Sequence, residues 1–328
     1  MKCFSCNVIL KFLFLLLVMA ATASSVQAAT FDFQRLVEHV QEAHEALTDL
    51  VIDEARDWLR NQPNPTMQAL GTMPAKGPGA GDDIDADQFL FEPMKRILAS
   101  NPEPAALYYL ALACDLRFLM AQCIDEGLAE AVDRVDPGNF AIWSIIYDQQ
   151  LEAKLERLEN STEFKYFYYD ASKHWDSALV ASSQPIRDFD ILMLNSSLLL
   201  AMPIPGFQDL VEPCKVAAET GPSSKLAEGC KRIANYLVEQ GETLIDPSIG
   251  YAVLAEMAKI EQSDLAEQLQ LDREAFQGYR QCLALPLYGK SEDYEFHRRF
   301  LDLSIAHGER KALEIIAEQE GVDCDGYF

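Results

Sequence analysis

The sequence predicts an all-α protein, built from antiparallel helical hairpins stacked side by side as an α-solenoid or an irregular helical domain. Three observations predict it. Apolar residues recur at steps of three and four along almost the whole chain, the period of a helix with one buried face. Pro-, Gly- and Asp-marked breaks end these segments after about 12 to 20 residues, the usual length of globular helices. Short connections of this kind favour antiparallel neighbours, and stacked hairpins bury a continuous core.

The chain has 328 residues and opens with Lys2 and Lys11 around an apolar run, Phe12 to Ala23, followed by Ser24, Ser25, Val26, Gln27 and Ala28. A charged start, a short apolar stretch and small residues at Val26 and Ala28 read as an export signal over residues 1–28. The run is shorter than the roughly 20 apolar residues of a spanning helix. Ile191 to Ile204 is the longest later apolar stretch, and Asn195, Ser196, Ser197 and Pro203 interrupt it. The expectation is an exported protein that is not integral to a membrane. The bacterial periplasm is the expected compartment, secretion the other.

Residues 29–62 form an expected N-terminal amphipathic helical arm, with Phe33, Leu36, Val37, Val40, Leu47, Val51, Ala55 and Leu59 on one face. Residues 63–86 are poor in large apolar side chains and rich in Gly, Pro and Asp, which predicts a flexible linker. Residues 87–328 then form the main helical domain. Asp87 caps a helix to about Ala99, and Pro104 starts the next. Further helices are expected over Ile124–Val135, Asn139–Leu158, Ser161–Ala181, Ile186–Met202, Phe207–Glu219 and Ser223–Gln240. One beginning at Asp246-Pro247, with proline in its first turn, is followed by one ending near Leu285-Pro286. Ser291-Glu292-Asp293 caps another to about His307, and Gly308 turns into a last helix ending before Gly321.

Charge and cysteines bound the function. The chain carries 27 Lys+Arg against 52 Asp+Glu, a formal net charge of −25. Phosphate backbones are repelled by such a surface, so nucleic acid is excluded as a partner. Cys3 and Cys6 leave with the signal, and Cys114, Cys123, Cys214, Cys230, Cys282 and Cys324 remain. An even number in an exported chain implies disulfides. The cysteines fall into sequence-local pairs, which predicts Cys114–Cys123, Cys214–Cys230 and Cys282–Cys324. No C-x-x-C occurs and no His lies close to a Cys, so a cysteine metal site is not expected.

Val132, Val135, Asp136, Pro137 and Trp143, with Ile146 beyond, resemble the junction between two tetratricopeptide-type repeats. That junction closes one helix with an aliphatic-Asp-Pro sequence and places an aromatic anchor in the next. Tyr147 stands where such repeats prefer Gly, and Glu159 where they prefer Ala. The resemblance implies helical-hairpin packing and, by analogy alone, binding of a protein or peptide.

Candidate chemistry is sparse. Asp83, Asp85 and Asp87 alternate as calcium ligands do, but Gln88 and Met94 stand where an EF-hand loop needs Gly and Glu. They read as an acidic linker leading to a helix cap, with a weak metal alternative. His39 and His44 are five apart, one too many for a shared helix face. In the aromatic run Phe164 to Tyr169, helical spacing puts Phe164, Phe167, Tyr168, Ala171 and Trp175 in the core. Tyr166, Tyr169, Lys173 and His174 are left as the candidate recognition surface, where tyrosines with a polar tip suit a peptide or a sugar. No catalytic residue is assigned, there being no G-x-S-x-G and no cysteine nucleophile with partners, and no cofactor is called for. Two readings follow: a non-enzymatic envelope protein binding a protein or peptide, or an all-α hydrolase or lyase using Asp and Glu carboxylates. A carboxyl group of raised pKa in a pocket beside Tyr166, Tyr169 or His174 would favour the enzyme.

Overall fold

The computed structural model describes residues 49–74, 87–148, 150–181, 207–221, 223–288, 290, 293–324 and 326. These residues are helical and contain no β-strand; an isolated bridge pairs Asn139 with Glu163. The export signal, most of the arm, Asp83, Asp85 and the expected helix Ile186–Met202 lie outside the described residues.

In the first half, helices gather around one buried rod. α1 (49–60) and α2 (Pro65–Gly71) are followed, after a π-helical turn Asp87–Phe91, by α3 (Glu92–Ala99) and α4 (Pro104–Leu116). α4 is apolar all round, PAALYYLALACDL, so it is stable only where neighbours cover every side. α2, α5 (Met120–Asp125), α6 (Leu128–Val135) and α7 (Phe140–Ile146) do so. Part of the expected linker is thus folded. Asn64 caps α2 by accepting from Met67 N, Pro65 occupies its first turn, and Ala69 and Leu70 are fully buried. The linker expectation failed here because only two sizeable apolar residues mark the turn, and neighbouring helices supply the rest of the burial.

The second half is closer to a stack of hairpins. α8 (Leu151–Leu158) and α9 (Tyr168–Val180) precede α10 (Phe207–Thr220), α11 (Lys225–Gln240), α12 (Asp246–Ile260) and α13 (Leu265–Tyr288). α10 packs on α11, α11 on α12 and α12 on α13, while α14 (Tyr294–His307) and α15 (Glu309–Gln319) close the end as a final pair. Gly250 lets α11 and α12 approach closely: a Cβ there would sit 2.5 Å from the Ala234 carbonyl oxygen. One core cluster runs from Val51 to Leu301, and a smaller one holds Leu244, Cys282, Leu283, Leu313, Ala317 and Cys324.

Three disulfides join the sequence-local partners, Cys114–Cys123, Cys214–Cys230 and Cys282–Cys324. They tie α4 to α5, α10 to α11, and α13 to the C-terminal segment. Bridges of this kind belong to an oxidising, non-cytosolic compartment. Among the described residues no helix is long and apolar enough to cross a membrane.

Several element boundaries differ from expectation. Ile124–Val135 is interrupted at Gly127, and Asn139–Leu158 breaks at Tyr147 to Gln150. The helix expected from Ser161 begins only at Tyr168; residues 161–167 are not helical, and Glu163 among them bridges to Asn139 in the Asp136–Asn139 turn. α13 continues through Pro286.

Candidate functional site

The turn Asp136-Pro137-Gly138-Asn139 is held by the extended segment that follows α8. Phe140 N donates to the Glu163 carbonyl at 2.9 Å, and Thr162 N donates to the Gly138 carbonyl at 2.9 Å. Asn139 is fully buried and satisfied on both ends of its amide. Its Nδ2 donates to Asp136 Oδ2 and to the Lys165 carbonyl, and its Oδ1 accepts from Lys165 N and Ala141 N. Trp143 is fully buried and donates from Nε1 to the Pro137 carbonyl. Arg157 covers its ring at 3.9 Å while pairing with Asp133 on α6. The turn thus closes α6, and Trp143 anchors the start of α7 against it.

This turn is one end of an acidic seam. Asp136 and Glu163 share a side-chain hydrogen bond, and both carboxyls are raised in pKa, in each case foremost by burial. Burial is the main cause in both; at Glu163 the charge of Asp136 adds to it, whereas at Asp136 the hydrogen bond with Glu163 works the other way. Lys165 opposes the repulsion at both groups and again at Glu242, whose carboxyl is also raised by burial and by Asp170. Tyr236 stands beside Glu163 and Glu242, its phenol pushed up to about 12 by burial first and then by those charges.

From Glu242 the seam passes to the last helical pair. Tyr166 Oη lies 3.2 Å from Thr243 Oγ1. Thr243 N donates to Asp246 Oδ2, while Asp246 N donates back to Thr243 Oγ1, which closes the start of α12. Leu244 N donates to Glu309 Oε2, and Arg310 N to the Glu242 carbonyl. Asp246 is 1% exposed and its Oδ1 has no partner; burial raises its carboxyl to about 7, with Glu309 adding to the shift. Burial also raises Glu309. Tyr168 is pushed up to about 12 by burial and Glu309, and Tyr169 is raised by burial, Glu309, Tyr168 and Glu242.

No match to this chain is found among protein-family models, curated proteins or solved structures. What the protein does has to be read from its own residues.

The structure separates the four residues expected to form a recognition surface. Tyr166 is buried in the core, its ring edge-on to Phe164, so it is no part of a surface. The segment around it is not helical, so the helical spacing that placed it outside does not apply. Tyr169 faces the seam near Glu242 and Glu309. Lys173 is exposed, and His174 is half-buried near Asp170, Lys173 and Glu103, its pKa lowered foremost by burial. Asp87 begins the π-helical turn before α3, and no group of three His, Cys, Asp or Glu side chains among the described residues is arranged to hold a metal. The residues missed in the sequence were Glu163, Glu242, Asp246, Glu309 and Tyr236. They lie far apart in the chain, in a background of 52 acidic residues, and nothing local singles them out.

Proposed function

We propose that the protein is an exported, non-enzymatic helical-repeat protein of the cell envelope, with the bacterial periplasm as its compartment. It acts as a binding module or scaffold that receives a positively charged segment of a partner protein or peptide. The observation that carries this reading is the seam itself. Glu163, Glu242 and Glu309 are partly buried carboxyls whose pKa values are raised, flanked by Tyr168, Tyr169 and Tyr236. Each negative charge raises the cost of its neighbours, and Lys165 offsets only part of it. An incoming Lys or Arg relieves that repulsion, and tyrosine rings suit the aliphatic stems of such side chains.

The enzymatic reading has one observation in its favour, the raised carboxyls near Tyr166 and Tyr169. Asp246, which comes nearest to neutral pH, is sealed from solvent and spends one oxygen on the start of α12. A general acid has to reach its substrate, so this group fits a structural role better.

The test is equilibrium binding of a fluorescent lysine-rich peptide to the oxidised, full-length chain. Binding is expected to weaken steeply as salt rises and to fall about tenfold in the double variant Glu163→Gln, Glu242→Gln. A peptide that does not bind, or binds the double variant equally well, removes the seam as the partner site.

A further inference from the structure

A separate cleft of about 410 Å3 lies between α11, α12, α13 and α15, beside the Cys282–Cys324 bridge. One wall is aromatic: Tyr251, Phe276 and Tyr279 follow one another with ring centroids 6.3 and 6.2 Å apart. The other wall carries Arg310 and Glu314. Glu314 is fully engaged, accepting from Tyr279 Oη at 3.3 Å and from Lys311 at 2.9 Å and lying 3.6 Å from Arg310 Nε. Arg310 Nη1 donates to the Val238 carbonyl at 3.1 Å. Two donors remain without a partner among the described residues, Arg310 Nη2 and the Tyr251 hydroxyl. The pKa of Tyr251 is raised by burial and by Asp272, so the phenol keeps its proton.

We infer that this cleft binds one uncharged sugar ring, a pyranose unit of a glycan. The volume falls within the range of small-ligand sites, roughly 300 to 1,000 Å3. An aromatic wall accepts the C–H face of a pyranose, and the two unpaired donors meet ring or hydroxyl oxygens at its edge. A carboxylate would satisfy the same donors, but Glu314 lines the cleft, the charge of Asp272 reaches Tyr251, and the whole chain is strongly negative. A cation finds the acidic Glu314 already engaged. Neutral oxygen acceptors are the chemistry left. The cleft shares Arg310 with the seam, through the bond from Arg310 N to the Glu242 carbonyl, but Glu163, Glu242 and Glu309 do not line it, and its test neither supports nor removes the peptide-binding reading.

Saturation-transfer NMR on the oxidised, full-length chain with millimolar D-glucose, D-galactose and N-acetylglucosamine tests it, with benzoate as the charged planar comparison. Transfer is expected to the C–H face of at least one sugar, with little to benzoate. Tyr251→Ala, at a half-exposed position, is expected to reduce it at least fivefold with the melting temperature held, while Tyr251→Phe retains most of it. Arg310→Met is expected to weaken it as well. Silence from all three sugars, transfer undiminished in Tyr251→Ala, or a preference for benzoate overturns the assignment.

Discussion

Asp246 and Asn139 show how differently two buried polar side chains contribute. Asn139 satisfies four hydrogen bonds in a site closed to water. Asn139→Ala strands Lys165 N and the Lys165 carbonyl, which should cost about 2 to 4 kcal/mol, read as a drop in the denaturation midpoint. An unchanged midpoint would mean that water replaces the amide. Asp246 is the opposite case, a carboxyl with one oxygen unpartnered. Its folded value of about 7 lies above its ordinary 3.8, so the folded chain holds a proton that the unfolded chain releases between about pH 4 and pH 7. Stability from this group is therefore fullest at the acid end of that window and is lost as pH rises through 7. Asp136, Glu163, Glu242 and Glu309 shift in the same direction. Asp246→Asn keeps an acceptor for Thr243 N and should raise the melting temperature at pH 8, by at most about 4 kcal/mol in stability. It should also flatten the profile between pH 5 and pH 8. A variant that melts lower than the parent at pH 8 would show that the carboxylate is needed there.

At the scale of the element, helix identity was legible and helix limits were not. Apolar periodicity and the cap at Asp293, whose side chain accepts from Phe296 N, are local properties, whereas the cap at Asn64 lies in a stretch that reads as a linker. The break at Gly127, a glycine in the left-handed region at φ 95°, and the one at Tyr147 fall inside stretches whose apolar period continues. Ser161 also shows the limit. It looks like a helix start, yet its hydroxyl donates to the Arg157 carbonyl at the end of α8, and the next helix waits until Tyr168. Close packing is equally invisible along the chain. Gly250→Ala is expected to cost about 1 to 3 kcal/mol, since a Cβ 2.5 Å from the Ala234 carbonyl forces α11 and α12 apart. Equal thermal stability of that variant would show that the two helices part without loss.

Across the molecule, the bridges and bidentate arginine–carboxylate pairs hold separate elements together, Arg157 with Asp133 being one such pair. Arg298 on α14 meets both oxygens of Asp176 on α9, at 2.8 and 3.0 Å, and reaches Asp302 besides. The three disulfides span 9, 16 and 42 residues. Loop-closure entropy ranks them in that order, at about 2.6, 3.1 and 3.9 kcal/mol. Cys114→Ser, Cys230→Ser and Cys324→Ser should each lower the melting temperature under oxidising conditions, the last by most. Removal of the Cys282–Cys324 bridge should also free the small core around Leu313 and Ala317. Unchanged melting under oxidising conditions would argue that the bridge is dispensable.

What the amino-acid order determined by itself was carried by near neighbours: most of the helices, the cap at Asp293, the closing turn at Asp136 to Asn139, and the local pairing of six cysteines. The tertiary structure alone decided which half-buried carboxyls share a seam and that Tyr166 points inward. It also decided that residues 65–71 belong to the core, and that Tyr251 and Arg310 line a cleft. Helix periodicity reports which side of a segment is apolar, because residues three and four apart share a face. It carries no information about which other face arrives there, and charge repulsion, burial and cavity shape are set by that arrival.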